Sequence, residues 1–442
     1  MASNYKLSIT RAAKQVDGLH GFALDQPQTS QTITDVELSG GRLRFFGWVL
    51  ADEDGAVPSV YIKEAGQRHP LPLNTERPDV INTVLGQHAQ AHPQLTCGFD
   101  HYLQLTADSA ELCVVSNDQE HTLFTLSVEG SLKVLEGKDG WLFLDNDAND
   151  SVAQHTGKMA LGLLSRWGWQ RFFKQTQQLA QPFALMIAPS KETVYPQFYP
   201  IVKAGQAPIE QMLALAPADY PVVYPVSALA NAAMRTFRKN DTHWSLPGAS
   251  VASHQLLVTL GLGEHSRVFA NDTYVERDVI GDLGNKLYPS ALSAEVSLKG
   301  ANYHPQVVYD NQLPNFGRAL IVDNPDANSD HKLVMFASSS GYSMLHYLYR
   351  VFKRIIFVHS AGNVDKQLLQ TLGGDFVVSQ TNARFVIRAP KVGVSVKKLM
   401  QQKLRAETVS ARATLLQKSQ QQQQKHPDDS DIRVLHRLLA NR

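Results

Sequence analysis

The sequence has few cysteines and no excess of either charge, and each of these absences excludes a class of protein. Its 442 residues contain only two cysteines, Cys97 and Cys113. That is too few for a disulfide framework or a four-cysteine zinc site, so we expect two buried thiols. Lys and Arg total 42 against 41 Asp and Glu, a formal net charge of +1. No global field therefore favours nucleic acid or an anionic bilayer.

Long apolar runs are also absent. The most apolar stretches, 183–188 (FALMIA) and 354–358 (RIIFV), are far shorter than the roughly 20 residues of a membrane-spanning helix, and they predict buried strands. The first twenty residues lack the apolar region of a secretion signal. We therefore expect no transmembrane segment and a cytoplasmic location. The 43% apolar and 19% charged residues are those of a folded chain, and the length predicts two or three domains.

The pattern of strands, helices and turns divides the chain into four regions. Residues 1–30 are predicted to be an N-terminal arm. Residues 31–129 are predicted to be an antiparallel β-sandwich, because short β-branched runs alternate with turns such as SGG and SND. Residues 130–391 alternate helix and strand, which is typical of an α/β fold with a parallel sheet. Residues 392–442 are predicted to form a helical tail outside that fold, either docked on the domain or joining chains in an oligomer through a coiled coil.

Three short pieces of the predicted sandwich resemble a known module. They are Gly47-Trp48, the RPDV sequence at 77–80, and Gly98-Phe99. Together they resemble a small β-sandwich often attached to enzymes of bacterial polysaccharide synthesis, and this resemblance implies a carbohydrate-binding domain. In the alternative interpretation Trp48 and Phe99 are core aromatics, since large aromatic side chains dominate core burial.

A strand, a serine-rich turn, a helix and a second strand follow one another at 332–337, 338–341, 342–353 and 355–358. This pattern predicts a right-handed βαβ unit. The turn then lies at the carboxyl end of a parallel strand, where open α/β sheets bind their ligands.

A second segment supplies an acid and an imidazole. Asp241 and His243 directly precede Ser245, which is placed to cap a helix that Gly261 ends. A serine nucleophile needs a base, and the base needs a carboxylate that fixes its tautomer. Each segment alone also has a simpler interpretation, as a turn or a helix cap. Metal binding is the rival use of Asp241 and His243, but no third ligand is evident at a suitable spacing, so we predict no metal.

Taken with three further stretches, these segments resemble a family. In chain order the sequences are KDGWLFL (138–144), APSKETVYP (188–196), DTHWSLPGA (241–249), GDLG (281–284) and FASSSGYS (336–343). Their order and spacing over about 130–390 resemble the SGNH-hydrolase-like domain of the alginate O-acetyltransferases and related polysaccharide acetyltransferases. This resemblance implies an SGNH-like parallel sheet flanked by helices.

The resemblance also implies the catalytic roles. Asp241 is then the orienting acid, His243 the general base and Ser339 the nucleophile, with Ser338 and Ser340 as alternatives for the nucleophile. The turn reads Ala-Ser-Ser, whereas the family has Gly-Asp-Ser or Gly-Thr-Ser. This departure leaves a non-catalytic relative open.

The supporting residues follow from the same likeness. The Ser339 amide is expected to stabilise the oxyanion, with Gly284 or Asn285 as a second donor. Lys191 and Tyr195 are expected to line the substrate cleft, the alternative being a solvated lysine and a tyrosine packed on its neighbouring proline. Packing support for the site is expected from Trp244 and His346.

The predicted function is serine-dependent transfer of an acyl group, acetyl in the family, to a sugar hydroxyl of a bacterial polysaccharide or its precursor. No bound cofactor is expected. An acyl donor is required, for which acetyl-CoA is a candidate, together with a glycan acceptor. A carbohydrate esterase of the same fold is the first alternative, because water can replace the sugar. A non-catalytic carbohydrate-binding or scaffold protein is the second.

Overall fold

The computed structural model describes residues 5–28, 31–33, 43–52, 57–86, 89, 92–103, 105, 107, 109–129, 134–145, 147, 149–286 and 291–441. The part of the predicted sandwich at 34–42 lies outside these residues. The chain divides into two compact units. The first comprises Met1–Glu136, Leu142–Val152 and Ile280–Leu292, and the second comprises Gly137–Trp141, Ala153–Val279 and Ser293–Arg442.

The strands, in chain order, are β1 (Tyr5–Arg11), β2 (Leu19–Gln26), β3 (Gln31–Ile33), β4 (Leu43–Ala51), β5 (Ser59–Glu64), β6 (Gln67–Pro70), β7 (Gly98–Leu103), β8 (Ser109–Ser116), β9 (Gln119–Glu129), β10 (Val134–Glu136), β11 (Leu142–Leu144), β12 (Phe183–Ala188), β13 (Val222–Val223), β14 (Thr273–Val279), β15 (Ser293–Lys299), β16 (Val307–Asp310), β17 (Ala319–Asp323), β18 (Ser329–Ala337), β19 (Phe352–His359) and β20 (Phe376–Asn382).

The helices, in chain order, are α1 (Pro78–Val80), α2 (Ser151–His155), α3 (Leu163–Thr176), α4 (Lys191–Val194), α5 (Pro208–Leu213), α6 (Val226–Ala230), α7 (Leu246–Thr259), α8 (Gly281–Gly284), α9 (Gly341–Leu348), α10 (Lys366–Leu372), α11 (Val396–Ala406), α12 (Val409–Lys425) and α13 (Ser430–Ala440). Within the described residues, no helix is long and apolar enough to span a bilayer.

The first unit contains the predicted antiparallel sandwich. One sheet has the strand order β3-β1-β9-β8-β5-β6 and the other β2-β4-β7, and every pairing in both is antiparallel. Leu7 and Ile62 of the first sheet belong to the same buried cluster as Phe45 and Phe99 of the second. The sandwich prediction and the core position of Phe99 are therefore confirmed, whereas Trp48 packs half-buried against a smaller neighbouring cluster.

Two further predictions concern this unit. The arm predicted at 1–30 is wrong, because β1 and β2 fall within it and pair in the two sheets. Burial of Leu7 and Ile9, two residues apart along β1, gives this segment a strand's apolar face. Cys97 and Cys113 are 3% and 0% exposed and carry free thiols, as predicted.

The second unit is built on a seven-stranded sheet of order β13-β12-β20-β18-β19-β17-β16. The first five strands are parallel, as predicted. The last two, β17 and β16, are antiparallel to their neighbours, which corrects the prediction of a wholly parallel sheet. The chain between β16 and β17 has only eight residues (311–318), too few for the crossover that a parallel pair requires.

The C-terminal helices are part of the core of this unit. Met400 of α11 and Leu435 of α13 lie in one buried cluster with Trp169 of α3 and with Val334 and Ile356 of the sheet. The tail predicted at 392–442 therefore docks on the α/β fold and does not lie outside it. These apolar positions are covered within the chain, and the alternative oligomer contact through the C-terminal helices stays a prediction.

Candidate active site

The serine-rich turn is a tight strand-to-helix elbow. Strand β18 ends at Ala337 and helix α9 begins at Gly341. A side chain at Gly341 would place its Cβ 2.8 Å from the Ala337 Cβ and 2.9 Å from the Phe357 ring, so only glycine fits. Strands β18 and β19 are parallel, which confirms the βαβ prediction. The helix ends at Leu348, not at the predicted 353, because β19 already begins at Phe352.

The acid and imidazole segment precedes α7, and its geometry is also fixed locally. The Ser245 hydroxyl accepts a hydrogen bond from the Gly248 amide at 3.2 Å, which is the predicted helix cap. It donates to the Arg235 carbonyl at 2.6 Å. A Cβ at Gly248 would lie 2.1 Å from the Thr236 carbonyl oxygen, so the helix start approaches this backbone closely. At the other end Gly261 has a φ of 76°, as suits a glycine that ends a helix.

The structure brings the side chains of Asp241, His243 and Ser339 into one hydrogen-bonded chain. The His243 Nδ1 lies 2.8 Å from Asp241 Oδ1, and the His243 Nε2 lies 2.9 Å from the Ser339 Oγ. The His243 backbone amide also donates to Asp241 Oδ1 at 2.8 Å. Because an ionised carboxylate only accepts hydrogen bonds, the network assigns the imidazole proton to Nδ1. The Nε2 lone pair is then directed at the serine hydroxyl.

The environment of Asp241 keeps its carboxylate charged. Burial of this side chain, which is 9% exposed, would by itself raise its pKa. The hydrogen bond and charge of His243, with the Arg238 guanidinium 3.5 Å away, outweigh burial and hold the pKa well below its usual range. An ionised Asp241 can therefore orient the imidazole and stabilise its protonated form.

The three serines of the turn have different surroundings. Ser338 is 2% exposed, its amide donates to the Gln380 Oε1 at 2.9 Å, and its hydroxyl lies 2.8 Å from that oxygen and 3.0 Å from Asn382 Oδ1. Ser340 is also buried, and its carbonyl accepts from the Trp244 indole. Ser339 is half-exposed and contacts His243. Of the three, only Ser339 combines a base with access for a substrate.

The side chain of Trp244 connects the two segments. It is 1% exposed, and its Nε1 donates to the Ser343 hydroxyl at 2.6 Å and to the Ser340 carbonyl at 3.1 Å. Trp244 is thereby bonded to the start of α9. Because Trp244 directly follows His243, these bonds fix the position of the imidazole relative to the elbow. His346 instead packs on Tyr303, with ring centres 4.9 Å apart, and burial lowers its pKa to about 4.

Lys191 does not occupy the place that the sequence predicted. Its side chain is buried, and its Nζ donates to the carbonyls of Arg238, Lys239 and Asp241 at 3.1, 2.9 and 2.9 Å. These bonds direct the ammonium group at the backbone of the loop that carries Asp241. Neither the substrate-contacting lysine nor the solvated alternative fits this geometry, and Lys191 is a positioning residue.

Tyr195 also supports the backbone before the acid and imidazole segment. Its hydroxyl accepts from the Thr236 amide at 2.9 Å and lies 3.0 Å from the Thr236 hydroxyl. Its ring packs on Trp141 with centres 4.9 Å apart. Tyr195 is therefore a support of this backbone, and its predicted place in the substrate cleft stays a prediction.

The predicted second oxyanion donors belong to a different part of the fold. Gly284 ends α8, and Asn285 follows it as the C-terminal cap. Both lie in Ile280–Leu292, a segment of the first unit. Their role as oxyanion donors stays a prediction.

Sequence reasoning missed the amides of β20 that hold the elbow. Gln380 and Asn382 follow the apolar run FVV (376–378) and end a strand that is parallel to β18. Since parallel strands end at the same edge of a sheet, polar residues after this run were the available signal. The ion pair of Arg238 with Asp241 was also missed, because no pattern in the sequence indicates it.

The second unit thus combines a mixed α/β sheet with an aspartate, a histidine and a serine at the carboxyl-terminal end of its parallel strands. No family model and no curated protein matches the sequence. Among solved structures, the chain is similar to PatB1 of Bacillus cereus with a sulfonyl adduct, at 15% identity and a TM-score of 0.42, over 58% of this chain and 97% of that one.

Two further solved structures show a similar level of likeness. The O-acetyltransferase domain of Pseudomonas putida AlgJ is 16% identical with a TM-score of 0.33, over 64% of this chain and 98% of that one. AlgX of Pseudomonas aeruginosa is 13% identical with a TM-score of 0.35, over 58% of this chain and 63% of that one. At these values the interpretation of the site rests on its own geometry.

Proposed function

We propose that the protein is a serine-dependent O-acyltransferase that transfers an acetyl group to a sugar hydroxyl of a bacterial polysaccharide or its precursor. The observation that carries the proposal is the hydrogen-bonded chain from Asp241 through His243 to a half-exposed Ser339 hydroxyl. This arrangement suits nucleophilic acyl transfer, because the base contacts the nucleophile and a carboxylate orients the base. The choice of acetyl and of a sugar acceptor comes from the sequence resemblance.

The first half-reaction forms an acyl-enzyme. The Ser339 Oγ attacks the carbonyl carbon of the donor as His243 Nε2 takes its proton. The resulting tetrahedral intermediate collapses, the bond to the leaving alcohol or thiol breaks, and the leaving group takes the proton from His243. Asp241 stabilises the imidazolium while it exists. The product is acetyl-Ser339 and the free leaving group, for which coenzyme A is a candidate.

The second half-reaction reverses these roles. His243 removes a proton from the sugar hydroxyl, whose oxygen attacks the acetyl carbonyl carbon. The ester bond to Ser339 breaks, and the serine oxygen recovers the proton from His243. In both steps the carbonyl oxygen carries negative charge, and the Ser339 amide beside the start of α9 is the proposed donor to it.

Hydrolysis is the second candidate function, and one observation favours it. The His243 side chain is 30% exposed, so water reaches the imidazole whenever no acceptor covers it. Water in the place of the sugar makes the protein a carbohydrate esterase with the same acyl-enzyme.

The test measures both acetate release and acceptor acetylation. The wild-type protein is incubated with an activated acetyl ester or acetyl-CoA, with and without saturating glycan acceptors, beside Ser339→Ala and the matched control Ser340→Ala. Transferase activity gives acetylated glycan and less free acetate, and both disappear in Ser339→Ala but not in Ser340→Ala. Free acetate that is unaffected by any acceptor identifies the esterase. Equal inactivity of the wild type and Ser339→Ala contradicts both enzymes.

A further inference from the structure

A groove of about 500 Å³ lies in the second unit, between residues 164–175 of α3 and residues 387–392. Its two walls are attached to each other. The Ser165 hydroxyl donates to the Ile387 carbonyl at 2.6 Å, and the Trp169 indole donates to the Val386 carbonyl at 2.7 Å. We call this surface, with its rim at the start of α3, the α3 groove, and these bonds make it a fixed feature of the fold.

The rim of the α3 groove exposes large apolar side chains. Leu163 and Leu164 are each 86% exposed, and Trp167, about one helical turn further, is 59% exposed. Folding gains nothing from apolar area that stays in water. A cluster of this kind is typical of a surface that contacts something else.

The charged side chains on the two segments that form the α3 groove are all cationic. Arg171, Lys174, Arg388 and Lys391 are exposed, and neither 163–176 nor 384–392 contains an acidic residue. The Arg171 guanidinium lies 5.5 Å from the centre of the Trp167 ring. Cationic and apolar side chains are thus interleaved on one surface, although the whole chain has a net charge of only +1.

We propose that the α3 groove binds the surface of an anionic lipid bilayer. Leucine and tryptophan side chains that protrude from the start of a helix are suited to the boundary between headgroups and acyl chains, where tryptophan is enriched in membrane proteins. The arginines and lysines around them then face lipid phosphates and carboxylates. An acidic protein segment would match the charge, but it leaves the protruding Leu163 without a role, since this residue stands beside the groove and does not line it.

The test uses the full chain and sedimentation with vesicles of phosphatidylcholine, with or without phosphatidylserine. We expect the wild type to bind the phosphatidylserine vesicles more tightly, and added salt to weaken this binding. Leu164→Glu should reduce the association constant for these vesicles at least about tenfold, because it places a charge where the side chain enters the boundary between headgroups and acyl chains. Arg171→Gln and Lys391→Gln should each reduce it about fivefold.

Val258→Glu is the matched control. Val258 is 52% exposed on α7, a helix outside the buried cluster that contains α3, so this variant should bind like the wild type. All four variants change exposed side chains and should keep the wild-type melting temperature and ester activity. Wild-type binding that is absent, or no tighter with phosphatidylserine, overturns the proposal. Equal binding by Leu164→Glu and Val258→Glu overturns it as well.

Discussion

The two halves of the candidate site are held in place by different chemistry. In the loop that carries Asp241, three backbone carbonyls accept hydrogen bonds from the buried ammonium group of Lys191. The elbow that carries Ser339 is held by neutral contacts, namely the side-chain amide of Gln380 and the close packing of Gly341. The acid and base half therefore combines a buried charge with neutral hydrogen bonds, whereas the nucleophile half has neutral contacts alone.

The largest expected effect comes from the three residues that join the halves. Ser339→Ala, His243→Ala and Asp241→Asn should each lower kcat/KM for an activated ester by about a thousandfold or more, because triad members act as a unit. Double variants should lose little more than single ones. Steady-state kinetics measures this. Independent, multiplicative losses would show that the two halves do not work together.

The loop half should fail at Lys191. Lys191→Met leaves three carbonyls without their buried donor, and we expect the free energy of unfolding to fall by about 3 kcal/mol. Activity should fall with it, since the carboxylate loses its position. The matched control is Lys239→Met, a half-buried lysine whose ammonium group donates to the Asp139 carbonyl, which should cost less than about 0.5 kcal/mol. Denaturant titration distinguishes the two, and similar losses would remove the special role of Lys191.

The elbow half should be the one that weakens in mild acid. His359 pairs in register with Ala337 at the end of β18, and its Nδ1 lies 3.3 Å from the Tyr342 hydroxyl. Burial, with the charge of Arg318 as a further cause, lowers the pKa of His359 to about 4 from 6.5. Between those values the unfolded chain binds a proton that the folded chain does not, so stability falls as pH falls through this window.

The cost of keeping His359 neutral is about 2 kcal/mol at pH 5 relative to neutral pH. Denaturant titrations of the wild type and His359→Gln across pH 4–7 measure it, and the variant should lose less stability toward acid by this amount. The Asp241 carboxylate has a lowered pKa and stays ionised in the same range. Parallel pH profiles for the two proteins would contradict this account of the elbow.

The smallest effect is expected at Ser338. Ser338→Ala removes a hydroxyl that can donate to one acceptor at a time, while the Ser338 amide keeps its bond to Gln380. We expect a loss of about 1 kcal/mol in the free energy of unfolding and nearly unchanged kcat/KM. A loss of activity as large as that of Ser339→Ala would mean that the nucleophile had been assigned to the wrong serine.

Local patterns predicted the elements that surround the site, but not what supports them. The apolar run of β18, the serine turn and the helix pattern predict the elbow, and Ser245 predicts the start of α7. The direction of β17 could not be predicted, because a short strand whose first four residues are all buried has the same apolar pattern in either orientation. Nor could the role of Lys191, since its partners are carbonyls about fifty residues away, and backbone acceptors leave no mark in a sequence.

Activation of the Ser339 hydroxyl by His243 can be measured by mass spectrometry of the intact and digested protein after treatment with a serine-reactive sulfonyl fluoride. We expect one adduct, on Ser339, in the wild type and in Ser338→Ala. Modification should be much slower in His243→Ala, because the base no longer activates the hydroxyl. An adduct on another serine, or a rate on Ser339 that does not depend on His243, would contradict the proposed relay.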